Sequence, residues 1–285
     1  QTCALPILLN ENENDKNNFF RLLDLLSKDS FRIGAGSSKG FGQIKVIEIA
    51  YDEFAVNSDE YTNLSSSLNT KLSKTYEIKE FDDEKYIKYK LILTPDDFFM
   101  FGSGFGDDEA DMTPVFEDIV DYEKQDLIKE KVLIPASSVK GAISHRTTYH
   151  YNLINKNFIK ENGENKAEVV ETIFGSKKDK EKDSFKGNIL ISDVYLDETS
   201  SKVFEHVSID RFTDSALFQE KTISSKETFT LEILINKEKV KDEVALESFE
   251  KALKDITTGM LSLGGATTKG HGIFSGKVLK NGVEI

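Results

Sequence analysis

A glycine-rich loop that occurs twice constrains the fold of this chain more than any other feature of its sequence. RIGAGSSKGFG (32–42) and SLGGATTKGHG (262–272) align without a gap, at an offset that places Lys39 on Lys269. Upstream of each loop, apolar residues recur at helical spacing, and downstream of each loop the chain reads as a strand. Two copies of one helix, loop and strand order indicate an internal duplication.

The duplication predicts how the chain is divided. The second loop closes a long unit, 85–285, which we predict to be a complete domain, whereas the first loop begins only at residue 32. We therefore predict that residues 8–51 are the C-terminal remnant of a first domain of the same kind. Residues 52–84 are polar and rich in serine and asparagine, which is typical of a linker or an insertion. Residues 1–7, QTCALPI, lack the pattern of a signal peptide and resemble translated sequencing-adapter DNA.

The periodicity of the complete domain predicts an α+β fold. KYIKYKLIL (85–93) alternates as a half-buried strand does, and a helix should begin at Ser137 or Ser138 as its N-cap. Two further strand-like runs and a helix at 243–258 precede the second loop. This order is typical of a ferredoxin-like sandwich. The segment 95–131 is longer and more acidic than an ordinary connection between two elements, which predicts a functional loop or lid.

Composition and charge exclude several classes of protein. The 285 residues include one cysteine, which excludes both a disulfide framework and a cysteine-based metal cluster. The four histidines lack the spacing of zinc ligands. The formal net charge of −13 argues against a uniformly basic surface for nucleic acids but leaves room for a local basic groove. No apolar run approaches the ~18 residues of a membrane span, and the cytoplasm is the expected compartment.

The two loops have the composition of phosphate-binding loops, because the backbone amides of glycine-rich turns approach an anion closely. Their context differs from that of the known nucleotide loops, since they follow a helix and open a strand. An unrelated nucleotide-handling enzyme would require that the loops nevertheless cradle a nucleotide. Lys39 and Lys269 are candidate phosphate contacts. The alternative is structural: Gly34 and Gly264 stop the helices, and the other glycines permit a bulge.

IPASSVKGAISHR (134–146) is the second stretch whose residues indicate a ligand. Lys140 falls in the first turn of the predicted helix, where its charge opposes the helix dipole. An anionic ligand would explain a lysine at this position, and the alternative is a merely solvated side chain.

Four stretches, in this order along the chain, resemble the RAMP superfamily, the repeat-associated proteins of CRISPR effector complexes. The resemblance is carried by IPASSVKGAI, IFGSKKDKEKDSFKGNILISDVYL, HVSIDRFTDSALFQE (206–220) and LGGATTKGHGIF. It covers residues 86–285, and the tail of a second unit at about 17–50 is similar in the same way. One departure is Ala136, where the family pattern has glycine.

The resemblance implies a ferredoxin-like (RRM-like) RAMP domain with long loop insertions, preceded by the C-terminal part of a second such domain. It implies a backbone-like subunit of a type III CRISPR effector complex, with guide RNA, target RNA and other effector subunits as partners. A long loop, 95–131 or 203–222, would separate neighbouring bases. The residues implied to grip the sugar–phosphate chain are Ser137, Ser138, Lys140, Arg146, Lys269 and Gly270.

Arg211 is an additional candidate RNA contact, and its alternative is an ion pair with Asp210 or Asp214. The RNA-binding hypothesis requires only a short line of cations along one groove, because contacts to phosphate dominate affinity for nucleic acids. It predicts that four cations lie together along that groove: Lys140, Arg146, Arg211 and Lys269.

The acidic loop is a candidate nuclease site. Family members that cut target RNA place an aspartate two residues before a proline in the loop preceding the lysine-bearing helix. Here that position is Met112, and Asp111 lies one residue earlier. Asp111 is the candidate catalytic residue of a metal-assisted endoribonuclease, and with Asp107 and Asp108 it forms a candidate Mg²⁺ site, since this ion prefers carboxylate oxygens. The alternative is an inert, solvated loop in a non-catalytic architectural subunit of the same complex.

Overall fold

The computed structural model describes the following residues of the chain: 13–64, 71–79, 83–121, 124, 126–157, 168–176, 183–208 and 216–285. The contacts between its segments divide the chain into two compact units. The first comprises residues 1–33 and 43–84, and the second comprises residues 34–42 and 85–285. The glycine-rich loop of the first repeat copy therefore belongs to the unit that contains the second copy.

The first unit is built around a helix and a pair of strands. It contains α1 (Glu13–Asp24), β1 (Ile49–Tyr51), α2 (Asp59–Thr62) and β2 (Lys74–Tyr76), with β1 antiparallel to β2. Phe20 on α1 packs against the rings of Tyr51 and Tyr76. The buried Asp24 carboxylate accepts a hydrogen bond from the Tyr76 hydroxyl at 2.9 Å. Residues 52–84, predicted as a linker or insertion, thus include α2 and β2.

The second unit contains most of the strands and the longest helices. Its strands are β3 (Tyr86–Pro95), β4 (Phe98–Phe99), β5 (Phe116–Asp121), β6 (Asp126–Ile134), β7 (Gly175–Ser176), β8 (Phe185–Lys186), β9 (Ile189–Ile191), β10 (Val194–Leu196), β11 (Ser200–Ser208), β12 (Ala216–Ser224), β13 (Phe229–Asn236), β14 (Phe274–Lys280) and β15 (Val283–Glu284). Its helices are α3 (Ala136–Ile154), α4 (Glu168–Phe174) and α5 (Glu243–Thr257).

The central sheet of the second unit has the strand order β15–β14–β3–β13–β9, and every pair of neighbours in it is antiparallel. Along the chain, α3 lies between β3 and β9, and α5 lies between β13 and β14. Without the short strand β15, this is the strand order of a ferredoxin-like sandwich made of two interleaved β-α-β units. The predicted α+β, ferredoxin-like fold is confirmed.

The core lies between the central sheet and its helices. Tyr89, Leu91 and Leu93 of β3 are buried together, because alternate residues of a strand point to one face. Phe249 and Ile256 of α5 are also fully buried, and the Phe249 ring packs edge-on against Tyr89. Full burial of each such side chain contributes about 1.5–3 kcal/mol. This packing holds the helices on the sheet and so fixes where their ends lie.

Two long hairpins extend the domain beyond its central sheet. β5 and β6 form one, which β10 joins at its base, and β11 and β12 form the other, which β4 joins. About a third of the stretch predicted as a loop or lid (95–131) therefore belongs to the strands of the β5–β6 hairpin. The strands were not evident from the sequence because this hairpin is largely exposed on both faces. Aliphatic residues such as Val120 and Leu127 face solvent there, so the alternation typical of a half-buried strand is missing.

The helix-stop role predicted for two glycines is wrong. α5 ends at Thr257, well before Gly264, and α1 likewise ends before Gly34. The turn directly after α5 is made by Gly259, with a φ of 74°. Gly264 instead permits a close approach of two backbones. Its φ is 94°, and a Cβ there would lie 2.3 Å from the Met100 carbonyl oxygen.

Candidate functional site

The two glycine-rich loops, which we call loop A (34–42) and loop B (264–272), have the same backbone conformation. Each contains a 3-10 turn, Ser37–Lys39 in loop A and Thr267–Lys269 in loop B. The lysine amide at the end of each turn donates to the carbonyl three residues earlier, at 2.7 and 2.9 Å. Positive φ angles recur at the sequence offset: at Gly34 and Gly264, Gly36 and Ala266, Gly40 and Gly270, and Gly42 and Gly272. The similarity of the two sequences thus extends to their geometry.

Loop A lies against the start of α3. Gly40 is buried, and a Cβ there would lie 2.5 Å from the carboxylate of Asp193. That carboxylate accepts a hydrogen bond from the Ala136 amide at 2.7 Å and so caps the helix. Burial raises the pKa of the Asp193 carboxyl, although the bond from Ala136 acts in the opposite direction. Loop A therefore packs directly on the residue that holds the first turn of α3.

Ser137 and Ser138 lie inside the first turn of α3 rather than at its N-cap. The cap position is Pro135, and the helical residues begin at Ala136. The N-cap prediction is wrong, because the capping oxygen comes from Asp193, which is distant in the sequence. Both serine side chains are exposed, so their hydroxyls are accessible to a ligand.

Two lysines near this helix start have no carboxylate partner among the described residues. Lys140 is half-buried; burial lowers its pKa, and the positive charge of Lys186 lowers it further. The Lys186 ammonium on β8 donates to Ser37 Oγ in loop A at 2.8 Å. Lys39 is exposed on the same loop. We call Lys140, Lys186 and Ser37 the α3 cluster. No sequence pattern singles out Lys186, because it lies in a stretch crowded with other charged residues.

Lys269 on loop B is paired inside the protein. Its ammonium lies 2.9 Å from Glu220 Oε2 and 3.1 Å from His206 Nε2, and His206 Nε2 lies within hydrogen-bond distance of the same Glu220 oxygen, at 3.0 Å. Burial alone would raise the pKa of the Glu220 carboxyl, but the hydrogen bonds from Lys269 and His206 outweigh burial and lower it. We call these three residues the Lys269 network. Gly270 follows with a φ of 85° and open space where a Cβ would lie.

Arg146 is held between two helices. Its Nε donates to Asp255 Oδ2 on α5 at 2.5 Å, and His150 Nε2 lies 2.6 Å from the same oxygen. Its guanidinium also lies over the Tyr149 ring, 4.8 Å from the centroid. The side chain predicted to contact RNA therefore bridges α3 and α5. Arg211, another of the four predicted cations, lies outside the described residues.

The strand directions place the start of α3 and loop B at one edge of the central sheet. β3 and β9 run in the same direction, because both are antiparallel to β13. Pro95 at the C-terminal end of β3 pairs with Phe274, so loop B enters β14 at this edge. Asp193, which caps α3, follows β9 at the same edge. Lys140 and Lys269 thus belong to two clusters that share an edge of the domain.

The acidic loop before β5 is fixed along β12. Asp107 accepts hydrogen bonds from the Lys221 ammonium at 2.5 Å and from two backbone amides of its own loop at 2.8 Å. The bond from Lys221 is the largest of the effects that lower the pKa of Asp107. The Asp111 amide donates to the Gln219 carbonyl at 2.9 Å, and the Asp111 carboxylate accepts from the Gln219 amide at 2.8 Å.

These carboxylates do not fit a Mg²⁺ ion. Among the residues that the structure describes, no three histidine, cysteine, aspartate or glutamate side chains are grouped so that they could hold a metal. Asp107 already accepts three hydrogen bonds, and Asp111 accepts one. The structure does not bring Asp107, Asp108 and Asp111 together as a ligand set.

Comparison with known proteins identifies a family. A family model described as the RAMP superfamily matches residues 98–275, which is more than half of the chain. The matched range contains the start of α3 and loop B, whereas loop A precedes it. A search of curated proteins finds no match. Within the described ranges, no helix is long and apolar enough to cross a membrane.

Proposed function

The chain belongs to the RAMP superfamily of CRISPR-associated RNA-binding proteins, and we propose that it grips the sugar–phosphate backbone of a guide RNA in a type III effector complex. The observation that carries this proposal is Lys140, half-buried at the start of α3 and without a carboxylate partner in the described part of the chain. Burial and the charge of Lys186 both disfavour the charged form of Lys140, so a nearby anion stabilises it. The phosphates of RNA supply such an anion.

The side chains at the start of α3 suit phosphate and ribose better than bases. A lysine ammonium acts as a point charge toward phosphate, and the exposed hydroxyls of Ser137 and Ser138 donate or accept hydrogen bonds. Such contacts position RNA without reading its sequence. A guide-binding subunit requires this property, because base pairing carries the sequence information. Target RNA and other effector subunits are the proposed partners, in the cytoplasm.

We assign the separation of guide bases to the β11–β12 hairpin rather than to the β5–β6 hairpin. Phe218 on β12 is 39% exposed, and its ring stacks on His206 of β11 at a centroid distance of 6.4 Å. Exposed aromatic rings are platforms on which unpaired bases stack. The β5–β6 hairpin also exposes a ring, Phe116 at 36%, but its described part contains more acids than bases, and acids repel RNA.

Lys140→Gln should weaken binding of a single-stranded RNA about tenfold, which corresponds to the loss of about 1.4 kcal/mol from one charged contact. The slope of log affinity against log salt should also become shallower by about 0.7, because one fewer phosphate is neutralised. Fluorescence anisotropy with a labelled RNA at several salt concentrations measures both quantities. The control is Lys251→Gln on α5, where the lysine pairs with Glu247 at 2.9 Å. Equal affinities for the two variants would contradict the proposal.

A second candidate function is cleavage of target RNA assisted by Asp111. Its carboxylate is exposed and Oδ2 is held by the Gln219 amide, while Oδ1 has no hydrogen-bond partner among the described residues. Such a carboxylate can accept the proton of a ribose 2′-hydroxyl as the hydroxyl oxygen attacks the neighbouring phosphate. The bond from that phosphorus to the 5′-oxygen of the next nucleotide then breaks, leaving a 2′,3′-cyclic phosphate, and the departing oxygen takes a proton from water. This step needs no metal ion.

Asp111→Asn in the assembled complex separates cleavage from binding, because asparagine keeps an oxygen for the Gln219 amide but does not take up the proton. We expect the cutting of target RNA to fall by about 10²-fold or more while RNA binding is retained. Gel assays of a labelled target measure cutting, and Asp97→Asn, at an exposed aspartate before β4, is the matched control. Unchanged cutting would rule out cleavage by Asp111, and the non-catalytic, architectural function would be the only candidate left.

A further inference from the structure

Three separate segments of the second unit meet at the start of α3. Loop A contacts both α3 and β9, and its Ser37 hydroxyl accepts a hydrogen bond from Lys186 on β8 at 2.8 Å. Gly40 of the same loop approaches Asp193 so closely that a larger residue would displace that carboxylate. The Lys186 ammonium is therefore held by the repeat loop, and that loop itself packs against α3.

We propose that Lys140 and Lys186 together bind one phosphate group, with Ser37 holding Lys186 in place. The proposal deepens the RNA-binding function proposed above and rests on it, since the phosphate is that of a phosphodiester in single-stranded RNA. It adds a second cation from the β7–β8 hairpin, and it makes loop A part of the same site as the helix start.

The two positive charges of the α3 cluster are not neutralised by carboxylates within the described part of the protein. Neither ammonium has a carboxylate partner among the described residues, and the nearby Asp193 carboxylate accepts from the Ala136 amide. Lys221 and Lys269, by contrast, each lie within 2.9 Å of a carboxylate oxygen. Like charges repel each other, and an anion bound by both ammonium groups replaces that repulsion with two attractions.

A phosphodiester matches this arrangement in charge and in acceptors. It carries one negative charge and two non-bridging oxygens, and each oxygen accepts a charge-assisted hydrogen bond from one ammonium. Free inorganic phosphate shares this chemistry, so the experiment has to distinguish the two sources.

Lys186→Glu is the sharpest test, because it converts a repelling pair of side chains into an attracting one. We expect RNA affinity to fall at least tenfold further than in Lys277→Glu, while the thermal midpoint of the free protein stays unchanged or rises. Lys277→Glu is the matched control, since it makes the same change of charge at an exposed position of β14. Anisotropy with a labelled single-stranded RNA and thermal unfolding without RNA measure the two effects.

Equal losses of affinity in Lys186→Glu and Lys277→Glu would overturn the two-lysine site, while the proposed function would still stand if Lys140→Gln weakens binding. If Lys186→Glu fails to fold, Lys186→Gln replaces it: about tenfold weaker binding supports the site, and unchanged binding overturns it.

If the wild-type chain binds no RNA, the proposed function fails and inorganic phosphate becomes the probe. A phosphate-dependent rise in the wild-type midpoint that Lys186→Gln abolishes supports the phosphate site, and no rise overturns it.

Discussion

Replacing Gly272 with alanine is expected to destabilise the second unit by about 3 kcal/mol or more, whereas the same change at Gly270 should cost about 1 kcal/mol. Both glycines belong to loop B and have positive φ angles, 75° and 85°, so each alanine meets similar backbone strain. Their surroundings differ. A Cβ at Gly272 would lie 2.0 Å from the Leu263 carbonyl oxygen, and a Cβ at Gly270 would meet nothing within 4 Å. The backbone has to move to admit the first alanine but not the second.

Urea unfolding followed by circular dichroism compares both variants with the wild type. A cost at Gly272 no larger than that at Gly270 would show that loop B does not approach Leu263 so closely in solution. The comparison bears on function as well, because the Gly272 amide donates to the Phe98 carbonyl at 2.8 Å and so fixes the loop that carries Lys269.

The second large effect is expected in the Lys269 network. Lys269→Ala should destabilise the protein by about 2 kcal/mol at neutral pH. The substitution leaves the Glu220 carboxylate, whose side chain is 4% exposed, with His206 alone as its partner. Removing one member of a fully buried pair costs about 3–5 kcal/mol. We expect less here because the Lys269 side chain is 43% exposed, so water already screens part of its charge.

This loss should shrink as the pH falls. In the wild type, the folded-state pKa of Glu220 lies below its ordinary value. Its contribution to stability is therefore complete above that ordinary value and disappears as the pH falls through the folded-state pKa. Without Lys269, the largest of the effects that lower the pKa of Glu220 is lost, so this pKa rises. The free energies of unfolding of variant and wild type should converge once the carboxyl is protonated in both.

Urea unfolding at neutral and acidic pH measures this convergence. Lys251→Ala is the control, since it removes only an exposed pair with Glu247 on α5 and should change stability by less than about 0.5 kcal/mol at either pH. A loss in Lys269→Ala that does not depend on pH would mean that Lys269 stabilises the loop by packing and not through Glu220. The network joins loop B to the β11–β12 hairpin, so its loss should also disturb the hairpin to which we assign the separation of guide bases.

The class of fold was predictable from the sequence because its signals are local. The alternation in β3 and the helical spacing in α5 relate residues only two to four positions apart, and α5 (Glu243–Thr257) matches the predicted helix to within one residue. The backbone conformation that loops A and B have in common is also determined by the local sequence, because glycine admits positive φ angles. Of the four corresponding positions with positive φ, one is not glycine in both loops: loop B has Ala266, with a φ of 55°, where loop A has Gly36.

The partners of the candidate site residues were decided by the tertiary structure. The Asp193 carboxylate caps α3 across 57 residues of sequence, and Glu220 pairs with Lys269 across 49. Arg146 shows the same effect, because its partner Asp255 lies 109 residues away and the pair bridges two helices. The RNA contact of Arg146 stays a prediction. No spacing rule relates such residues, since their approach depends on the order of strands in the sheet.

The sequence by itself identified Lys140, because a lysine near the predicted start of a helix is recognisable from its position alone. In the structure it is the fifth residue of α3, since the helix begins at Ala136. It did not identify Lys186, which reaches this site only when Ser37, 149 residues earlier in the chain, packs beside it. The secondary-structure elements and one cation of the site, Lys140, could therefore be predicted from the order of residues along the chain. Folding decided which charges are neutralised within the protein and which are left for a ligand, because neutralisation depends on distances between elements remote in sequence.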